Sequence, residues 1–286
     1  MSNKLLICTD LDRTLIPNGP QPESPMARKY FMKLAERPEV ILAYVSGRHR
    51  KLVKKAIFNY VLPIPDFVIG DVGTTIYHVG ESQDWQRQLE WEEHIATYWG
   101  GKSHADLKSM LNDISVLRLQ EPGKQNRLKL SYYVPLYANR EALDDLIGQR
   151  FNDAGVKASL IWSVDEPAGV GLLDILPAHA SKFHAIKALM TERGFDYSNT
   201  IFCGDSGNDI EVLVSPIPAV LVGNSQPDVC ELALLLAREN GFYDQLYIAK
   251  GGFAGMNGNY SAGMLEGIAH YHPQTREWMG LDTDDK

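Results

Sequence analysis

Short apolar runs alternate with stretches of helical period along most of the 286 residues. Uninterrupted runs of about five residues fit strands buried on both faces, and their alternation with helical segments predicts an α/β fold built on a mainly parallel sheet. Leu5–Thr9 is the first such strand, followed by a loop rich in Pro and Gly over residues 17–25 and a helical stretch over residues 26–36. Val40–Val45 is the second, ending in Ser46-Gly47-Arg48 ahead of another helical stretch. Residues 66–70 read as a third strand, and residues 74–79, after Gly73, as its hairpin return.

The texture changes at Asp84. Trp85, Leu89, Trp91, Ile95 and Trp99 form an aromatic-rich segment at helical spacing, for which core packing is preferred over stacking on a sugar. Strand-like runs over residues 115–119, 128–134 and 159–164 surround a helix over residues 140–151, the pattern of a small α+β unit with its own sheet. Strand–helix alternation resumes at Leu172, with helix Lys182–Arg193, a strand over residues 200–203, a short helix after Gly207, a strand over residues 219–222 and a helix from Gln226. The expected organisation is a Rossmann-like parallel-sheet core of residues 1–83 and 171–286, interrupted by an inserted α/β (α+β) cap at residues 84–170. The polar tail, residues 283–286, is expected to fray.

Composition narrows the function classes. A hydrophobic fraction of 44% is too high for a disordered chain. No apolar run approaches the ~18 residues of a membrane span, and the first one leads straight into charged residues, unlike a signal peptide. A soluble cytoplasmic protein is expected. With 28 Lys+Arg against 36 Asp+Glu the formal net charge is −8. Residues 84–170 hold 10 basic and 13 acidic side chains, so no basic module for nucleic acid hides in the middle. Cys8, Cys203 and Cys230 lack metal-type spacing and read as reduced thiols, Cys8 and Cys203 within apolar runs.

The sharpest chemistry is Asp10-Leu11-Asp12-Arg13-Thr14, directly after the first strand. The carboxyl end of a parallel strand opens onto the ligand crevice, and two carboxylates there repel unless a cation or a proton intervenes. Such a pair suits a nucleophile and an acid/base beside a hard cation. Gly204-Asp205-Ser206-Gly207-Asn208-Asp209 repeats the arrangement after another strand, and its glycines permit a tight turn into the next helix. Two acidic strand ends far apart in sequence point to one shared metal site. Ser46-Gly47-Arg48 offers a hydroxyl, an unhindered N–H and a cation to a phosphate, and Lys182 opens a helix as a second cation. Three other features are set aside: Gly101-Lys102-Ser103 lacks the preceding strand of a nucleotide loop, His179 and His184 read as surface or capping residues, and the glycine run at residues 251–263 reads as a mobile surface loop beside the site.

Asp10/Asp12, Ser46, Lys182 and Asp205/Asp209, in that order, resemble the four motifs of the haloacid dehalogenase superfamily of phosphohydrolases. The insert between the second and third motifs is similar to the branch with a large α/β cap. Within it the chain resembles sucrose-phosphate phosphatases over Val72-Gly73-Thr74-Thr75-Ile76-Tyr77, Lys129-Leu130-Ser131-Tyr132-Tyr133, Val222-Gly223-Asn224-Ser225-Gln226-Pro227 and Ser261-Ala262-Gly263-Met264-Leu265-Glu266-Gly267. The resemblance spans essentially the whole chain. Phe183 follows Lys182 where the family has Gly, and Arg13 follows Asp12 where sucrose-phosphate phosphatases tend to carry Asn.

The resemblance implies a Mg²⁺-dependent phosphatase acting on sucrose 6-phosphate, or a related disaccharide phosphate, through a phosphoaspartyl intermediate. Asp10 is then the nucleophile and Asp12 the acid/base. The metal set is Asp10, Asp12 (through its carbonyl), Asp205 and, behind them, Asp209. Lys182, Ser46, Gly47 and Asn208 hold the phosphoryl group, while Lys129, Tyr132, Arg48, Asn224 and Gln226 are candidate sugar contacts. The expected partner is a phosphorylated sugar, with a sugar-phosphate synthase as a candidate protein partner. Two other classes stay open: a phosphohexomutase of the same superfamily, and a non-catalytic sugar-phosphate-binding partner of a synthase.

Overall fold

A computed structural model describes residues 4–80, 82, 84–165 and 168–281; the tail expected to fray lies outside the described residues. Its strands are β1 (Leu5–Thr9), β2 (Val40–Val45), β3 (Phe67–Gly70), β4 (Thr75–Val79), β5 (Trp85–Arg87), β6 (Arg118–Leu119), β7 (Leu130–Val134), β8 (Ala158–Asp165), β9 (Val170–Pro177), β10 (Thr200–Gly204), β11 (Ala219–Leu221) and β12 (Leu246–Ile248). They form an eight-stranded sheet in the order β12-β11-β10-β1-β2-β3-β4-β5 and a four-stranded sheet in the order β6-β7-β9-β8. The large sheet is parallel from β12 to β3 and antiparallel at β4 and β5. The small sheet is antiparallel throughout.

The unbroken apolar strands have the expected cause. Leu5 and Ile7 of β1 pack with Phe31, Leu34 and Ile268 on one face of the large sheet. Leu6 and Cys8 point the other way, onto Ala185, Ile186 and Leu189 of helix Lys182–Arg193. Helices therefore cover both faces, as a parallel sheet requires. The small sheet buries one face under helices Leu89–Ala96, His104–Met110 and Arg140–Asp153, with Ile95, Leu107 and Ile147 among the packed residues, and turns its other face to the large sheet. No described helix is long and apolar enough to cross a membrane.

The structure departs from the sequence reading at three places. Trp85 is not part of the helical aromatic run; it lies in β5, paired to β4 at the edge of the large sheet. Alternation of the large sheet does not resume at Leu172, because β9 runs from Val170 to Pro177 between β7 and β8 of the small sheet. Its residues alternate between core and cavity, and that period marks a strand with one face exposed to a crevice. The glycine run at residues 251–263 is a folded turn leading into helix Tyr260–Tyr271, of which residues 260–269 are all buried. A Cβ on Gly263 would lie 2.0 Å from the Gly258 carbonyl oxygen and one on Gly267 2.3 Å from Val220, so these glycines serve close packing.

Candidate active site

Four neighbouring parallel strands end side by side, in the order β10, β1, β2, β3. The next residues in the chain are Asp205, Asp10, Ser46 and Asp71, and all four line a cavity of about 1100 Å³ between the two sheets. Side chains at adjacent carboxyl ends converge on the crevice, which is where ligands bind in open α/β sheets.

Asp10, Asp205 and Asp209 are buried and offer carboxylate oxygens that all lie within 4.8 Å of one another. Lys182, 1% exposed at the start of its helix, reaches into this cluster. Its Nζ stands 2.7 Å from Asp209 Oδ1 and 3.3 Å from Asp10 Oδ1, and donates to Asn208 Oδ1 at 2.9 Å. Burial acts to lower the Lys182 pKa, but the Asp10 and Asp209 carboxylates outweigh it and hold the ammonium well above its ordinary value. The Asp209 carboxylate is further engaged by the Asp205 and Ser206 amides, both donating to Oδ2 at 3.1 Å. Asp205 accepts from Thr14 Oγ1 at 3.0 Å and lies 3.6 Å from Arg13 Nε.

Burial pushes Asp10 up to about 7, with Lys182 pulling down and Asp209 and Asp12 pushing further up. Burial also drives Asp205 well above the carboxylate range, reinforced by Asp10 and Asp209. The Lys182 ammonium and the Arg13 guanidinium at 3.6 Å still leave one of three buried carboxylates uncompensated. An all-oxygen, acidic, enclosed donor set of this kind suits a hard divalent cation, so the residues present fit magnesium.

Asp12 points away from that cluster. Arg48 holds it in a bidentate pair, Nε to Oδ2 at 2.6 Å and Nη2 to Oδ1 at 2.5 Å, and Asn18 Nδ2 donates to Oδ1 at 2.6 Å. Burial works to raise its pKa, yet the Arg48 hydrogen bonds and charge and the Asn18 amide carry the net direction below the ordinary value. The two Asp side chains are thus split by environment in the sense opposite to a resting general acid: burial raises Asp10, whereas Arg48 and Asn18 lower Asp12. Ser46, 1% exposed, accepts from the Arg48 amide at 3.2 Å. Gly47, Arg48, Asn208 and Gln226 line the cavity as well.

Of the expected sugar contacts, Lys129 lines the cavity, its Nζ 3.7 Å from Asp174 Oδ1. Tyr132 does not: strand alternation sends Leu130 and Tyr132 into the core beneath the small sheet, while Ser131 meets Asp174 on the other face. Asn224 is also outside the cavity lining. Its Nδ2 donates to the Arg13 carbonyl and its Oδ1 accepts from the Tyr260 amide, both at 2.7 Å, so it fastens the loop after β1 to the helix starting at Tyr260. Phe183, at the position where the family has Gly, packs with the apolar residues beneath the large sheet. Arg13 takes a left-handed backbone, φ 56°, beside Asp205. Sequence reasoning missed Asp71, Gln120 and Asp174, polar residues of the cavity wall that belong to no motif; Asp174 alternating with Leu173 and Ile175 along β9 is the one signal that distinguishes it. His179 and His184 bond to each other at 2.7 Å outside the cavity, Ser103 caps helix His104–Met110, and Cys8 and Cys203 are buried free thiols.

Comparison with known proteins agrees with this fold. A family model described as sucrose-6F-phosphate phosphohydrolase matches residues 3–272. A protein of Nitrosococcus oceani described in general terms as a HAD-like hydrolase is 55% identical over 280 residues, covering 98% of this chain and 75% of its own length. Sucrose-phosphatase 1 of Nicotiana tabacum is 28% identical over 245 residues; the match covers 83% of this chain but only 54% of the tobacco protein. Among solved structures, the sucrose-phosphatase of Synechocystis sp. PCC6803 in complex with sucrose and phosphate superposes with a TM-score of 0.74 at 26% identity, covering 94% of this chain and 98% of that one.

Proposed function

This chain belongs to the sucrose-6F-phosphate phosphohydrolase family, and from that premise we propose that it is a magnesium-dependent phosphatase that hydrolyses sucrose 6-phosphate, or a closely related disaccharide phosphate, to free sugar and inorganic phosphate. The observation that carries the reading is the buried cluster of Asp10, Asp205 and Asp209 around Lys182 at the floor of a cavity between two sheets.

The Asp10 carboxylate attacks phosphorus, forming a phosphoaspartyl bond as the bond from phosphorus to the sugar oxygen breaks. Asp12 delivers a proton to that oxygen, then removes one from the water that cleaves the intermediate. Arg48 favours the ionised form of Asp12 in the free enzyme, so Asp12 takes up a proton from solvent once Arg48 turns to the arriving substrate, and it is that proton which passes to the sugar oxygen. The transferred group carries negative charge on its equatorial oxygens, and Lys182, the Ser46 hydroxyl, the Gly47 N–H and the Asn208 amide are placed to stabilise it. Asp10, Asp205 and the Asp12 carbonyl would hold magnesium, with Asp209, already engaged by Lys182 and two amides, fixing their orientation. When bound, magnesium supplies the positive charge that keeps Asp10 anionic and neutralises the phosphoryl oxygens.

Residues at the large sheet's strand ends serve the phosphoryl group, and the small sheet's cavity face serves the leaving sugar. A cavity of about 1100 Å³ has room for a disaccharide. A phosphate-release screen over sugar phosphates with Mg²⁺ tests the reading. Sucrose 6-phosphate should give a higher kcat/KM than any hexose monophosphate, and EDTA should abolish turnover. Preference for hexose monophosphates would contradict the disaccharide assignment, return of phosphate to a sugar would identify a mutase, and tight binding without turnover would identify a binding module.

A further inference from the structure

The turn after β3 is the most strained element that faces the cavity. Asp71 (φ 52°) and Val72 (φ 63°) are consecutive non-glycine residues in the left-handed region, and for a β-branched residue such a backbone is a true outlier. Strain of this kind persists where surroundings over-determine it, and it gathers at ligand sites. Here the surroundings are identifiable. The Asp71 and Val72 amides donate to the Arg48 and Ser46 carbonyls, each at 3.1 Å, bracing the loop that carries Ser46. The Val72 side chain is buried with Ile95 and Trp99 in the small domain's core. Gly73 (φ 110°) has no room for a Cβ, which would lie 2.4 Å from the Ser181 carbonyl carbon.

The result of the strain is the position of one carboxyl group. Asp71 is 5% exposed and lines the cavity on the path from the Ser46 loop to Lys129 and Asp174 of the small sheet. Its protein donors are neutral: Thr75 Oγ1 gives to Oδ2 at 3.3 Å, and the Asn126 side chain also bonds to it. Among the described residues no cation lies within ion-pair distance of it; the Lys129 and His49 charges act on it from farther off, and Lys129 pairs with Asp174 at 3.7 Å. A carboxylate has about four lone-pair sites, so two neutral donors leave acceptor capacity on a residue that lines the cavity. An anionic ligand group is repelled there, while hydroxyl groups satisfy it. Beside it, Lys129 donates and Asp174 accepts, the mixture of roles that ring hydroxyls require.

We propose that Asp71 is a specificity-determining residue, its carboxylate accepting a hydrogen bond from a hydroxyl of the polyhydroxylated leaving group. The proposal rests on the phosphatase reading above. Asp71→Asn is the informative variant, since Asn also tolerates the left-handed backbone and keeps one acceptor while losing the charge. The quantity read is the ratio of kcat/KM on sucrose 6-phosphate to kcat/KM on p-nitrophenyl phosphate, whose leaving group bears no sugar hydroxyls. The ratio should fall about tenfold or more, the effect of losing one charged hydrogen bond, chiefly through KM. An unchanged ratio, with both substrates affected alike or neither affected, overturns the proposal. The same bond can be read from the ligand side in the unmodified protein. One deoxy analogue of the substrate should lose a comparable factor and show no further loss in Asp71→Asn; a series in which no single deoxygenation costs more than about twofold overturns it. Absence of phosphate release from either substrate by the unmodified protein overturns instead the phosphatase reading on which it rests.

Discussion

Lys182 and Asp10 set the chemistry of the site residue by residue. Removing one partner from a buried cluster of charges leaves the others uncompensated, at a cost of about 3–5 kcal/mol. Lys182→Met should therefore lower the thermal midpoint of the metal-free protein by about 10 °C, read by calorimetry, and added Mg²⁺ should recover part of the loss. A variant as stable as the parent would mean that the ammonium does not compensate Asp10 and Asp209. Asp10, raised by burial to about 7, must shed a proton before it can take a cation. Mg²⁺ binding should accordingly weaken about tenfold between about pH 8 and about pH 6, measured by titration calorimetry. The stability sign follows the same proton. Folded Asp10 keeps it to higher pH than an unfolded carboxyl titrating near ~4, so its stabilising contribution to the metal-free fold is full at low pH and is lost as pH rises toward about 7. The thermal shift produced by Mg²⁺ should be larger at about pH 8 than at about pH 6.

At the scale of elements, the parallel strands were legible because both of their faces are buried, which leaves an apolar signature needing no neighbour to interpret. β1, β2 and helix Lys182–Arg193 fall where the pattern places them. Helix Tyr260–Tyr271 was not legible: residues 260–269 are buried all round, so the segment has no amphipathic period, and the glycines before it suggest a loop. Those glycines make a sharp test. Gly263→Ala would set a methyl group against the Gly258 carbonyl, 2.0 Å away in the unrelaxed structure, and should destabilise by about 1–3 kcal/mol, seen as a lower urea midpoint at unchanged slope. β5, three residues at a sheet edge, is too short for periodicity to separate from the helix after it. For Tyr132 the strand was readable and its face was not, because the register against β9 depends on pairing partners 40 residues away.

The whole molecule brings together what lies far apart in the chain. Motif residues near 10, 46, 182 and 205 were legible because each follows a strand or opens a helix, a local feature with a fixed meaning in a parallel sheet. Asp71, Asp174 and Gln120 were not, since they belong to the site only through the apposition of two sheets. The formal charge of −8 likewise divides by place. Four carboxylates, Asp10, Asp12, Asp205 and Asp209, gather beside Lys182 and Arg48, and in the proposed reaction a divalent cation would complete the reversal of local sign for an anionic substrate. The central claim is that Asp10 performs this reaction, and release of inorganic phosphate from sucrose 6-phosphate by Asp10→Asn, compared with the unmodified chain in Mg²⁺, tests it most directly. The account predicts a variant that stays folded and loses at least about a thousandfold in rate; turnover within about tenfold of the parent would contradict it.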